Sequence, residues 1–94
     1  MLIVIGTAHV DPARREQFIE ATTAVTIGTR SDDGCQSYGF YADLTDPATV
    51  VGVEIWRDRT ALDEHMNHAH THEFLATVPD LIVGEPDMTI HDVL

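Results

Sequence analysis

Four of the six histidines fall within eight residues, "HMNHAHTH", from His65 to His72, and Glu54 and Trp56 stand a short way upstream. Imidazole titrates near neutrality, at a pKa of about 6.5, and is also a common ligand of transition metals. On one continuous helix, His65, His68 and His72 would share a side and His70 would face away. His68 and His72 stand at i, i+4, a spacing at which two imidazoles hold one Zn²⁺, Cu²⁺ or Ni²⁺. The same side, however, carries Ala61, Leu62, Ala69 and Ala76 and leaves Phe74 pointing outward. The pattern therefore predicts a break around Asn67 to His70, which turns Phe74 inward and draws His72 away from His65. No His-Glu-x-x-His spacing is present, so the expectation is no resident metal, with adventitious capture of nickel or zinc as the alternative.

The elements that would position these residues follow from periodicity and punctuation. "LIVIGTAHV" (2–10) is rich in β-branched residues and stops at Asp11-Pro12, a helix cap followed by proline in the first turn. A helix over 13–30 places Phe18, Ala21 and Val25 on one face, and "SDDG" (31–34) ends it. Strands at 35–44 and 50–56 flank the Asp46-Pro47 turn. A second helix lies within 57–78, starting near Ala61 with Thr60 as its cap, and a final strand at 81–94 is interrupted at Gly84-Glu85-Pro86. The order β-α-β-β-α-β predicts a ferredoxin-like α+β fold, a single domain over 1–94 with four antiparallel strands and both helices on one face.

Two strands are apolar on both sides. Leu2, Val4 and Ala8 oppose Ile3 and Ile5, while Val51, Val53 and Ile55 oppose Gly52, Glu54 and Trp56. Two helices cover only one face, so the other is expected to pack on the sheet of an identical subunit. Glu54 and Trp56, sharing a face, suit the lining of one cavity, with Trp56 as a wall and Glu54 as orienter or proton acceptor. The other reading of that pair is a buried interface aromatic and a carboxylate tied to Arg57, Arg59 or a partner's arginine. Tyr38 and Tyr41 point to opposite faces, so one of them at most serves a given cavity.

A net charge of −11, with 16 Asp plus Glu against 5 Lys plus Arg, disfavours nucleic acid as a partner. The start "MLIVIGTAHVDPARR" lacks a basic flank and a long apolar run, and the lone Cys35 excludes an intrachain disulfide, so a cytoplasmic protein with no membrane partner is expected.

Residues 34–74 resemble the antibiotic biosynthesis monooxygenase family of dimeric α+β barrels. Gly34-Cys35, Tyr38, Asp46-Pro47, Glu54-x-Trp56 and His65, nine residues beyond the tryptophan, carry the resemblance. It implies a homodimer that oxygenates a phenolic, quinol or polyketide-type aromatic substrate with O2 and needs no cofactor. His65 would be the catalytic base with Glu54 beside it, and Trp56, Tyr38, Phe40, His68 and His72 would contact substrate. The rival reading is a binding domain without catalysis, signalled by a pocket filled by Trp56, Tyr38 and Phe40. Haem-degrading members of the barrel use an Asn on the first strand and a Trp on the second helix. Here the first strand has Gly6, Thr7 and His9, and the tryptophan lies on a strand, which points away from haem.

Overall fold

In the computed structural model, which describes residues 1–94, the strands are β1 (Leu2–His9), β2 (Cys35–Ala42), β3 (Thr49–Trp56) and β4 (Asp87–Asp92). The helices are α1 (Arg15–Thr29), α2 (Arg59–His65) and α3 (Ala69–Thr77), with single 3-10 turns at Pro12–Arg14 and Val78–Asp80. The strands form one antiparallel sheet in the order β2-β3-β1-β4, the ferredoxin-like α+β arrangement expected from the sequence.

Local chemistry explains the boundaries. Asp11 accepts the Ala13 N–H at 3.0 Å, and Pro12 follows in the first turn, where no intrahelical donor is needed. Gly34, at φ 79°, supplies the left-handed residue that reverses the chain into β2. The cap of α2 is Asp58 and not Thr60: its carboxylate accepts the Ala61 N–H at 2.9 Å, so the helix opens earlier than expected. The predicted break is present at Met66–His68, and Phe74 turns inward against the core. The last strand is shorter than the predicted 81–94. Leu81 closes the second 3-10 turn, Ile82 makes one isolated bridge to Val10, and Gly84 at φ 72° leads into β4.

Strand alternation divides the sheet into two unlike faces. Toward the helices, Leu2, Val4, Tyr38 and Trp56 join Val25, Ala61 and Leu62 in one core cluster. Val10, Phe18, Val50 and Leu81 form a second, and Phe40 packs against both. The opposite face carries Ile3, Ile5, Val51, Val53 and Ile55, paired Ile3 to Ile55 and Ile5 to Val53 across β1 and β3. No element of the chain covers that face, and Ile5 is 37% exposed. No helix is long and apolar enough to cross a membrane.

Candidate active site

A cavity of about 300 Å³ lies on the helix-facing side of the sheet, between the two core clusters. Its floor exists because two glycines, Gly6 and Gly52, are paired across β1 and β3 and project nothing toward the helices. The Phe40 ring lies over Gly52, so close that a Cβ there would stand 3.0 Å from Cε1. Val4, Phe18, Leu62, Phe74 and Val78 add apolar wall, Tyr38 closes one side, and Met88 and Ile90 of the edge strand complete the rim. Glu54 and His65 reach this lining as groups suited to proton transfer, and the exposed carboxylates Asp63 and Asp87 also border it.

His65 is the last residue of α2, and its side chain is only 4% exposed. Nδ1 lies 2.9 Å from Oδ2 of Asp32 and 3.2 Å from the Thr71 hydroxyl, whereas no protein group bonds Nε2. The Trp56 indole lies beneath the imidazole, ring centroids 4.7 Å apart, and the Tyr38 ring stands 5.7 Å away. Asp32, 7% exposed, gathers two further histidines. His70 Nε2 is 3.0 Å from the same Oδ2, and His68 Nδ1 is 2.9 Å from Oδ1, though out of line for a hydrogen bond and left without a partner. Burial opposes ionisation of Asp32, but the hydrogen bonds from His65 and His70 and the nearby His68 outweigh it and hold the carboxyl below its ordinary value.

Glu54 sits on the floor with the opposite balance. Burial pushes its carboxyl above the ordinary value, and a 3.0 Å hydrogen bond from Trp56 Nε1 to Oε1 offsets only part of that. Burial beside Glu54 likewise pushes the Tyr38 phenol upward, so it stays protonated.

The expected site residues are thus partly reunited and partly dispersed. His65, Glu54, Tyr38 and Phe40 share the cavity. Trp56 is fully buried under His65 and is no cavity wall, because the imidazole occupies the level above it. His68 occupies the first, non-helical position before α3 and looks toward Asp32, outside the lining. His72 is exposed and also outside it, since the helix break re-aims everything beyond Met66. His70, placed on the far side by a continuous helix, is the one that rejoins His65. Within the chain Glu54 pairs with neither Arg57 nor Arg59: Arg57 pairs with Asp33 and Asp58, and Arg59 with Asp63, all at the surface. Asp32 and Thr71 were not singled out from the sequence. Asp32 reads there as half of an acidic helix stop, and its partner His65 is 33 positions away.

The fold and the site together define a small α+β domain with an apolar cavity and, on its wall, a histidine held from behind by an aspartate. The family model for antibiotic biosynthesis monooxygenases matches residues 1–77, and the chain belongs to that family. It is 35% identical over 92 residues to the uncharacterised protein sll1783 of Synechocystis, covering 98% of this chain and 63% of that relative's length. It is 33% identical over 87 residues to Rv0793 of Mycobacterium tuberculosis, a candidate monooxygenase, covering 93% of this chain and 85% of Rv0793. The solved structure of Rv0793 superimposes with a TM-score of 0.92 over 99% of this chain and 94% of that one. A candidate antibiotic biosynthesis monooxygenase from Nitrosomonas europaea, 24% identical, matches the fold with a TM-score of 0.94 over 100% of this chain and 99% of its own.

Proposed function

We propose that the chain is a cofactor-independent monooxygenase that oxidises a phenolic, quinol or polyketide-type aromatic substrate with O2 in the cavity above Gly6 and Gly52. The observation that carries this reading is the tethering of His65: Nδ1 faces an ionised carboxylate while Nε2 has no protein partner on a residue that lines the cavity. An imidazole whose Nδ1–H donates to Asp32 keeps its Nε2 lone pair free, the tautomer a general base requires. Nε2 takes a proton from the substrate, and the electron-rich anion passes an electron to O2. The resulting pair combines at carbon as a peroxide. For a CH2 flanked by two rings, loss of water then leaves C=O, so that one oxygen atom enters the product, the other leaves as water, and the substrate supplies all the electrons. Apolar walls keep bulk water from the anion and the peroxide. Glu54, biased toward its protonated form by burial, is a second proton-holding group on the same lining. Tyr38, Phe40 and Phe74 supply aromatic surface for a planar ring system.

The uncovered face with Ile3, Ile5, Val51, Val53 and Ile55 supports a homodimer joined sheet to sheet, the arrangement that removes this apolar surface from water.

The test is oxygen uptake by chelator-treated protein against reduced quinols, naphthols and anthrones, with His65→Ala as the control for autoxidation. Uptake that falls to the uncatalysed rate in His65→Ala is expected. Equal uptake by the two proteins would remove His65 as base. Saturable binding of these compounds without uptake would replace the oxygenase by a binding domain.

A further inference from the structure

We propose that Asp32, His65 and His70, with His68 beside them, form a site for one divalent transition-metal ion of the zinc, cobalt or nickel type. The four residues come from three places in the chain, the turn after α1, the end of α2 and the start of α3, and they meet only because the helix breaks at Met66–His68. One ligand atom each from Asp32, His65 and His70 lie within 4.8 Å of one another. The carboxylate oxygen stands 2.9 Å from His65 Nδ1 and 3.0 Å from His70 Nε2. With metal–nitrogen bonds of about 2.0–2.1 Å, neighbouring ligands of a central ion are separated by roughly 2.9–3.4 Å, from right-angled to tetrahedral geometry. Both carboxylate–imidazole edges of such a coordination sphere are therefore already at the required length.

Two further features point to a ligand. His68 Nδ1 is a buried nitrogen with no hydrogen-bond partner, 2.9 Å from the second oxygen of Asp32 and so beside the three-ligand group. Gly28, on α1, gives the His70 ring its place: a Cβ there would lie 2.8 Å from His70 Cγ and 2.9 Å from its Nδ1. The donor set is one carboxylate and imidazoles, which suits borderline ions and is poor for calcium or magnesium. It differs from the i, i+4 pair His68 and His72, since His72 is exposed and outside the cluster.

Protein made without an affinity tag, stripped with chelator, is titrated with Co²⁺ and then Zn²⁺, following visible cobalt absorption and its loss on displacement. Saturation at one equivalent is expected. His70→Ala and Asp32→Asn should each weaken binding by about tenfold or more, and His72→Ala should leave it unchanged. Circular dichroism reports whether each variant folds; should Asp32→Asn not fold, the wild-type stoichiometry and His70→Ala decide alone. Failure to saturate at one equivalent overturns the proposal, as does a His70→Ala protein that binds like wild type. A His72→Ala loss equal to that of His70→Ala also overturns it, in favour of capture by surface histidines. The readout involves no turnover, so this site and the oxygenase reading stand or fall separately.

Discussion

Replacing Gly28 by alanine sets two quantifiable effects against each other. Ordinary carbon contacts lie at about 3.5–4.0 Å. A Cβ placed 2.8 Å from His70 Cγ must therefore drive the ring back by roughly 0.7 Å. Nε2 now sits 3.0 Å from Asp32 Oδ2, and a retreat of that size along the bond would carry it past hydrogen-bonding range. Losing a hydrogen bond to a charged group costs about 1.5–3 kcal/mol, whereas alanine in place of glycine in a helix gains at most about 1 kcal/mol. Gly28→Ala should thus destabilise the metal-free protein by about 0.5–2 kcal/mol, a fall in Tm of several degrees for a domain of this size. The background reverses the sign. In a His70→Ala protein there is no ring to displace, and the same substitution should stabilise by up to about 1 kcal/mol. Urea unfolding of the four proteins at one fixed concentration closes the cycle, with an expected coupling of about 1.5–3 kcal/mol. A Gly28→Ala protein as stable as wild type or more so would refute the close packing of His70 on α1.

Glu54 gives a pH signature. Its folded-state carboxyl is raised, so the folded protein holds this proton more tightly than the unfolded chain and loses stability as pH rises from the unfolded value, about 4.3, through the folded one. Glu54→Gln, which keeps an acceptor for Trp56 Nε1, should therefore exceed wild type in urea midpoint at pH 7 and lose that advantage below about pH 4; a gap independent of pH would contradict the buried carboxyl. Val53→Asp, on the uncovered face, should convert a sedimenting dimer to monomer while leaving the helix-side core intact, and an unchanged sedimentation coefficient would exclude that face as the interface. Gly6→Val, whose Cβ meets only ordinary contacts with Asp87 O at 3.6 Å and Met88 Cε at 3.9 Å, should fold normally and raise KM for bulky ring systems; an unaltered KM would place the substrate elsewhere. Added zinc should lower oxygen uptake and chelator restore it, because a metal on Nδ1 of His65 leaves the proton on Nε2; uptake indifferent to zinc that the protein has bound would separate the base from the metal site.

The strands were legible because their signal is local. Alternation in 2–10 and 50–56 gave both the buried set and the uncovered set, and Asp11-Pro12 marked the first helical turn. The awkward position of Phe74 on a continuous helix was enough to locate the break. What lay beyond the break was not legible. Once the axis changes at Met66–His68, angular positions counted from His65 no longer place His70, although His72 is drawn away from His65 as the break predicts. Asp32 was hidden for another reason: a carboxylate in "SDDG" has the same local context whether it faces water or three imidazoles, and only the packing of α1 against α3 tells the two apart. Alternation gave the face of Trp56 but left its depth open between a cavity wall and a buried aromatic, because it gives direction and not what is stacked above. The cap of α2 moved to Asp58 since its carboxylate reaches Ala61 directly, leaving Thr60 inside the first turn.

The paired glycines at 6 and 52 have an evolutionary consequence. Each weakens a central strand by about 0.5–1 kcal/mol relative to a residue with a side chain. A lineage under selection for stability alone would replace them, and the sheet would become firmer as the space above it closed. Retention of both glycines in a descendant of this chain would therefore mark continued use of the cavity, while their joint loss would mark a protein that had kept the architecture and given up the ligand.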